Sequence, residues 1–142
     1  GGTAKAIGYG IKEKGGKLTI TYNRNKEKGE NLAKELGCEL IHCRDAGTQS
    51  IDILINCSPV GMNPNINESP FLARDFKEGM VVFDSVYNPL ETKLLREAKA
   101  AGCKIIPGSE LFINQAARQF ELFTGQPAPI DAMREVLMEK LN

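Results

Sequence analysis

Residues 80–106 read MVVFDSVYNPLETKLLREAKAAGCKII, and their pattern decides the fold. Met80 to Ser85 is a short apolar run closed by polar residues and rich in valine, which reads as a buried strand. Asn88-Pro89 turns the chain, and Thr92 to Ala101 then reads as a helix that Gly102 stops. Lys104 to Ile106 is a second, brief strand closed by Pro107-Gly108. A strand, a helix of about ten residues and another strand make a βαβ unit, whose strands run parallel.

The same alternation extends in both directions. Upstream, Asp52 to Asn56 (DILIN) is a continuous apolar run ending in a polar residue, as expected for a strand buried on both faces. A loop rich in Pro, Asn and Gly follows it, from Cys57 to Pro70. Glu39 to His42 (ELIH) and Lys17 to Tyr22 (KLTITY) read as strands. Asn25 to Leu36 carries Leu32, Ala33 and Leu36 on one face and stops at Gly37, an amphipathic helix. Thr3 to Lys14 is a helix ended by Gly15-Gly16. Downstream, Ser109 to Thr124 is a long helix with Ser109 as its predicted cap, and Ile130 to Leu141 is a final amphipathic helix beyond the Gly125–Pro129 break.

Right-handed crossovers place such helices on both faces, so the predicted class is α/β, doubly wound and mostly parallel. One feature departs from that plan. A nucleotide-binding βαβ unit opens with a buried strand and then a glycine turn, whereas Gly1-Gly2-Thr3-Ala4 leads straight into a helix. The sheet is therefore expected to lack its first strand. Residues 1–125 read as one domain and 126–142 as a C-terminal helix that packs back toward another part of the protein.

Composition narrows the function. The 142 residues carry 18 Lys plus Arg against 18 Asp plus Glu, a balance without the basic field of a nucleic-acid binder. Hydrophobic residues at 42% fit a globular domain rather than a disordered chain. No apolar run approaches the ~18 residues of a membrane span, and no charged-then-apolar leader opens the chain, which predicts a cytoplasmic protein with no membrane partner. Cys38, Cys43, Cys57 and Cys103 lack CxxC spacing and read as reduced thiols. His42 is the sole histidine, so no metal site is expected.

Several residues can carry chemistry. Glycines at Gly1 and Gly2, before Ala4, let an anion approach a helix N-terminus; a flexible chain end would carry the same residues. The strand after that helix ends at Asn23-Arg24, about 20 residues on, where a dinucleotide fold meets the adenosine ribose. An NAD site normally presents Asp or Glu there. Asn23, Arg24, Asn25 and Lys26 instead offer a guanidinium fork suited to a 2′-phosphate, which favours NADP over NAD. Asn56 to Met62 (NCSPVGM) follows a buried strand and can present backbone groups and the Ser58 hydroxyl to a ribose or nicotinamide, or Pro59 and Gly61 only shape a turn. Cys57 has no base to activate it and is rejected as a nucleophile. Asp84 reads equally as a turn-stabilising carboxylate and as a reactive one. Tyr87, Gly108 and Gln115 complete the set: a hydroxyl, a close-approach glycine and an amide that can donate and accept.

Together these residues resemble the shikimate dehydrogenase family. Asn56 to Met62 resembles its Asn-x-Thr/Ser-Pro-x-Gly-Met loop. Asp84 to Pro89 with Thr92, Leu95 and Ala98 resembles its Asp-x-Val-Tyr-x-Pro-x-x-Thr-x-x-Leu-x-x-Ala stretch. Gly108 through Gln115, Phe120 and Thr124-Gly125 resembles its Gly-x-x-Met-Leu-x-x-Gln…Phe…Thr-Gly segment, with Leu111-Phe112 in place of Met-Leu. The resemblance implies a Rossmann-like NADP-binding portion. In it Gly1, Gly2 and Ala4 belong to the diphosphate loop, and Asn23, Arg24 and Asn25 to the adenosine-phosphate clamp, where Asn25 departs from the usual Thr. Ser58, Ser85 and Gly108 line the nicotinamide side, and Tyr87 and Gln115 reach the substrate. The implied reaction is reduction of 3-dehydroshikimate to shikimate in aromatic amino-acid biosynthesis. The family's catalytic Lys and Asp come from a preceding substrate domain absent from these residues, so the chain alone is expected to be inactive, with no catalytic residue of its own. Two other readings stand beside this one: an NAD-dependent quinate/shikimate dehydrogenase, and a non-catalytic nucleotide-binding fragment.

Overall fold

Parallel pairing is the only kind of strand pairing in the computed structural model, which describes residues 1–141. Strand β1 (Thr19–Tyr22) pairs with β2 (Glu39–His42), Thr19 opposite Glu39. Strands β3 (Ile53–Asn56), β4 (Val81–Asp84) and β5 (Lys104–Ile106) form a second sheet in that order, with Ile53 opposite Val81 and Val81 opposite Lys104. No ladder joins β1 to β3 among the described residues. In a doubly wound sheet of order 3-2-1-4-5-6 the two pieces correspond to strands 3-2 and 4-5-6.

Parallel neighbours need a crossover, and two are helical. Helix α2 (Lys26–Leu36) links β1 to β2, and α3 (Lys93–Ala100) links β4 to β5. The other connections lack the helix that the alternation predicts. A 3-10 turn at Cys43–Thr48 leads into β3, and a long loop with a 3-10 turn at Ala73–Asp75 leads into β4. Helices α1 (Gly2–Glu13), α4 (Gly108–Thr124) and α5 (Ile130–Leu141) complete the chain.

The core lies on the three-stranded sheet. Leu54 of β3 and Val82 of β4 pack with Leu94, Leu95 and Ala98 of α3, and Phe71, Phe76 and Met80 from the long loop close the cluster. Burying each of these large side chains contributes about 1.5–3 kcal/mol. Strand β3 corrects one expectation: it is buried on only part of its surface. Leu54 is inside, but Ile53 is 56% exposed, because β3 has a laddered neighbour on one edge only.

Caps explain where the helices start. Asn25 Oδ1 accepts from the Lys28 amide at 2.9 Å, and Thr92 Oγ1 accepts from the Leu95 amide at 3.3 Å. Ser109 is not the cap of α4. The helix begins one residue earlier at Gly108 with extended Pro107 as its N-cap, and Ser109 is buried inside the first turn. Helix α5 buries no residue completely. It lies against α4, where Arg134 grips Glu110 through both carboxylate oxygens.

Candidate functional site

The exit ends of β3 and β4 each finish on a polar residue, Asn56 and Asp84, and the register sets them side by side. Asp84 is fully buried without a cation. Its Oδ1 accepts from Asn56 Nδ2 at 2.9 Å and from the Val86 amide at 3.0 Å, and its Oδ2 accepts from the Thr92 hydroxyl at 2.6 Å. Burial pushes the Asp84 carboxyl above its ordinary pKa, against the pull of those three donors. Between its two sequence readings, the geometry is that of a carboxylate that organises a turn.

Asn56 carries the bracket into the next loop. Its Oδ1 accepts from the Ser58 amide at 2.9 Å and the Ser58 hydroxyl at 2.7 Å, while its Nδ2 also reaches the Val60 carbonyl at 3.3 Å. The Ser58 hydroxyl, expected to face a ligand, thus donates inward and accepts from the Val60 amide at 3.3 Å. Gly61 bends that loop at φ 91°, where any Cβ would stand 3.1 Å from the Glu68 carbonyl. Ser85 extends the β3–β4 ladder by donating its amide to the Asn56 carbonyl at 2.9 Å. One network therefore ties together both strand-end loops and the cap of α3.

Between these loops lies an open cleft of about 500 Å³, lined among others by Ser58, Pro59, Met62, Ser85, Val86 and Tyr87. Gly108 lies against the backbone of Ser85 and Val86, two of the cleft's lining residues. A Cβ there would sit 2.3 Å from the Val86 carbonyl oxygen, so α4 can begin this close to the β4 exit only with glycine. Tyr87, 40% exposed, stacks on Phe112 of α4 with ring centroids 4.7 Å apart and a 38° tilt. Gln115 lies one turn further along α4 and is exposed. Cys57 is also at the cleft, and burial pushes its thiol up to about 11. It is a neutral thiol at physiological pH, unsuited to attack.

Gly1 is the N-cap of α1 without a side-chain cap bond, and neither Gly1 nor Gly2 has anything within 4 Å of where a Cβ would stand. The first-turn amides are thus open to an anion. Leu18, entering β1, approaches Gly8 of α1, so α1 folds back over β1 and its N-terminus faces the β1 exit. Just past that exit, Asn23 and Arg24 are exposed, and the Arg24 guanidinium has no salt bridge or hydrogen bond among the described residues. Asn25 has its carboxamide oxygen committed to capping α2. Ala4 is half-buried in the first turn of α1.

Sequence reasoning gave no role to three residues that the structure makes central. Asn56 and Thr92 complete the Asp84 network, and Phe112 backs Tyr87. A polar residue ending each of two apolar strands was the available signal for the first; the stacking left none. No group of three or more His, Cys, Asp or Glu side chains converges among the described residues, and none of their helices is long and apolar enough to cross a membrane.

Residues 108–138 match the family model described as the shikimate 5′-dehydrogenase C-terminal domain. A shikimate dehydrogenase (NADP(+)) of Methanosarcina acetivorans is 37% identical, with 100% of this chain and 54% of the relative covered. A shikimate 5-dehydrogenase from Thermus thermophilus, solved with NADP(H) and shikimate, superposes with a TM-score of 0.87 at 32% identity, covering 98% of this chain and 52% of that one. A quinate dehydrogenase from Corynebacterium glutamicum, solved with NAD, gives a TM-score of 0.86 at 29% identity over 98% and 52%. The chain thus spans about half the length of the relatives it matches.

Proposed function

We propose that this chain, related over its whole length to the shikimate dehydrogenases, is the cofactor-holding part of an NADP-dependent enzyme of that kind. The observation that carries the reading is Arg24, an exposed guanidinium without a protein partner just past the β1 exit, on the edge where α1 opens its amides. An anion fits both groups: the amides suit a diphosphate, and the planar fork suits a 2′-phosphate. No carboxylate stands among Asn23, Arg24, Asn25 and Lys26 to accept from an unphosphorylated ribose.

In this reading Gly1, Gly2 and Ala4 hold the diphosphate, and Asn23, Arg24 and Asn25 the adenosine phosphate. Ser58, Ser85 and Gly108 shape the nicotinamide end of the cleft. Ser58 acts through its place in the Asn56 turn, since its hydroxyl is already engaged. Bound NADP would supply hydride exchange with 3-dehydroshikimate and shikimate. The Asn56–Asp84–Thr92 bracket fixes the distance between the loops that would grip the ring, which is how a scaffold contributes orientation to such a step. Tyr87 and Gln115 would meet the substrate's carboxylate or hydroxyls. The proton-moving Lys and Asp would come from a substrate domain outside these residues, which leaves this chain inactive alone.

Residues 1–125 would form the cofactor domain, with 126–142 reaching toward the substrate domain. The apolar groove between α4 and α5, lined by Phe112, Ala116, Met133, Val136 and Leu137, supports such a contact. A cytoplasmic location accords with this metabolic role.

In the full-length enzyme, Arg24→Ala is expected to raise the KM for NADP at least tenfold and to leave any NAD-linked rate nearly unchanged. Equal losses with both cofactors would refute the assignment. The similarity to an NAD-bound quinate dehydrogenase favours a second reading, NAD-linked oxidation of quinate. Rates with quinate and shikimate, each with both cofactors, separate the two.

A further inference from the structure

Tyr87 and Phe112 share a wall between two hollows. Tyr87 faces the strand-end cleft with Ser58 and Ser85, while Phe112 also lines the groove between α4 and α5 with Met133 and Leu137. The two rings pack 4.7 Å apart, so Phe112 supports the Tyr87 ring from behind, while Phe112, itself 42% exposed, borders the groove beside α5. Helix α5 is itself held by the two-oxygen grip of Arg134 on Glu110, two residues before Phe112. Nothing else fixes the Tyr87 hydroxyl: it makes no hydrogen bond among the described residues, and the ring is 40% exposed. An aliphatic side chain at position 112 would leave the tyrosine without a flat partner and free to change rotamer.

We infer that Phe112 is the positioning residue for the Tyr87 hydroxyl, and through it for the carboxylate- or hydroxyl-bearing substrate that Tyr87 is proposed to meet; the inference rests on the functional reading above. A tilted aromatic pair sets ring direction at low entropic cost because each ring has two side-chain torsions. The energy of such a pair converts to about a twofold to twelvefold change in substrate affinity. Phe112 is distant in role from the phosphate-holding residues, so the effect belongs to the substrate and not to the cofactor.

The test uses the protein at its natural length, with Phe112→Leu, Phe112→Tyr and Tyr87→Phe singly and Phe112→Leu combined with Tyr87→Phe. Carbon-13 labelling of the tyrosine rings reports the stacking directly; the chain has 3 tyrosines, and the Tyr87 signal is the one that Tyr87→Phe removes. Phe112→Leu should shift that signal and raise the KM for the hydroxy-acid substrate about twofold to twelvefold, with kcat and the KM for NADP changed less than twofold. Phe112→Tyr should restore the substrate KM, and Phe112→Leu should add nothing once Tyr87 is Phe. An unmoved ring signal, a parallel rise in both KM values, or an undiminished effect in the Tyr87→Phe background would overturn the inference alone. A wild-type protein that turns over neither shikimate nor quinate would overturn the functional reading and this inference with it.

Discussion

Replacing Gly108 by alanine tests the coupling between α4 and the cleft. An added Cβ would stand 2.3 Å from the Val86 carbonyl oxygen, 2.5 Å from its carbon and 2.8 Å from the Ser85 carbonyl carbon. These are backbone atoms, so no side chain can swing aside. Ordinary carbon–oxygen contact needs about 3.3 Å, which means a displacement of roughly 1 Å by α4 or the 85–88 loop. Overpacking of this kind costs about 1–3 kcal/mol, less the part of a kilocalorie that alanine gains over glycine in a helix. For a chain of 142 residues a net loss of about 1–2 kcal/mol corresponds to a Tm lower by about 3–7 °C. The same shift misplaces the loop that carries Ser85 and Tyr87, and a displacement of that size can cost up to about a hundredfold in rate. Calorimetry and NADP titration of Gly108→Ala, with turnover measured in the full-length enzyme, read these effects. Gly10, mid-way along α1, is the control: its Cβ would meet nothing within 4 Å, so Gly10→Ala should stabilise by up to ~1 kcal/mol and leave binding alone. A Gly108→Ala protein with unchanged Tm and unchanged nucleotide affinity would refute the close-approach reasoning.

Other expectations follow from the same contacts. Thr92→Val removes both the cap of α3 and a donor to buried Asp84, and should lower unfolding free energy by about 2–4 kcal/mol in denaturant melts; Thr92→Ser should recover most of it. Arg134 holds the Glu110 carboxyl below its ordinary pKa, so the stability it contributes is complete above the unfolded value of 4.5 and is lost as pH falls through the lower, folded value. Amide exchange in α5 should therefore quicken below about pH 4.5 relative to α3. Glu110→Gln should reproduce that change at neutral pH, and by less than about tenfold because the pair is half exposed. Exchange in α5 that ignores both pH and the substitution would show that packing alone holds the helix.

Local pattern carried most of the fold. The strands at Glu39–His42 and Lys104–Ile106 and the helix at Ile130–Leu141 fall where alternation, apolar runs and Gly or Pro breaks place them. The two 3-10 turns carry no period, and their reasons are tertiary: Gly47 sits against buried Asp75, where a Cβ would collide with its carboxylate. Ile53 shows the limit of reading burial from composition, since an apolar residue is buried only if the sheet beside it is paired and covered. In the candidate site, the positions of Arg24 just past β1 and of Gly108 at the start of α4 follow from spacing after a glycine turn and a strand end. The Asp84 network needed the register between β3 and β4, a contact across 28 positions that no local pattern encodes.

The sheet's two pieces leave β1 and β3 each with one flank of amide and carbonyl groups outside any ladder, and each strand runs parallel to its laddered neighbour. A copy related by a two-fold axis would present its equivalent strand antiparallel to such a flank. A single extended segment travelling with β1 and β3 can zip to both at once. A strand of that direction would join the two pieces into one continuous parallel sheet, which an antiparallel edge contact would not.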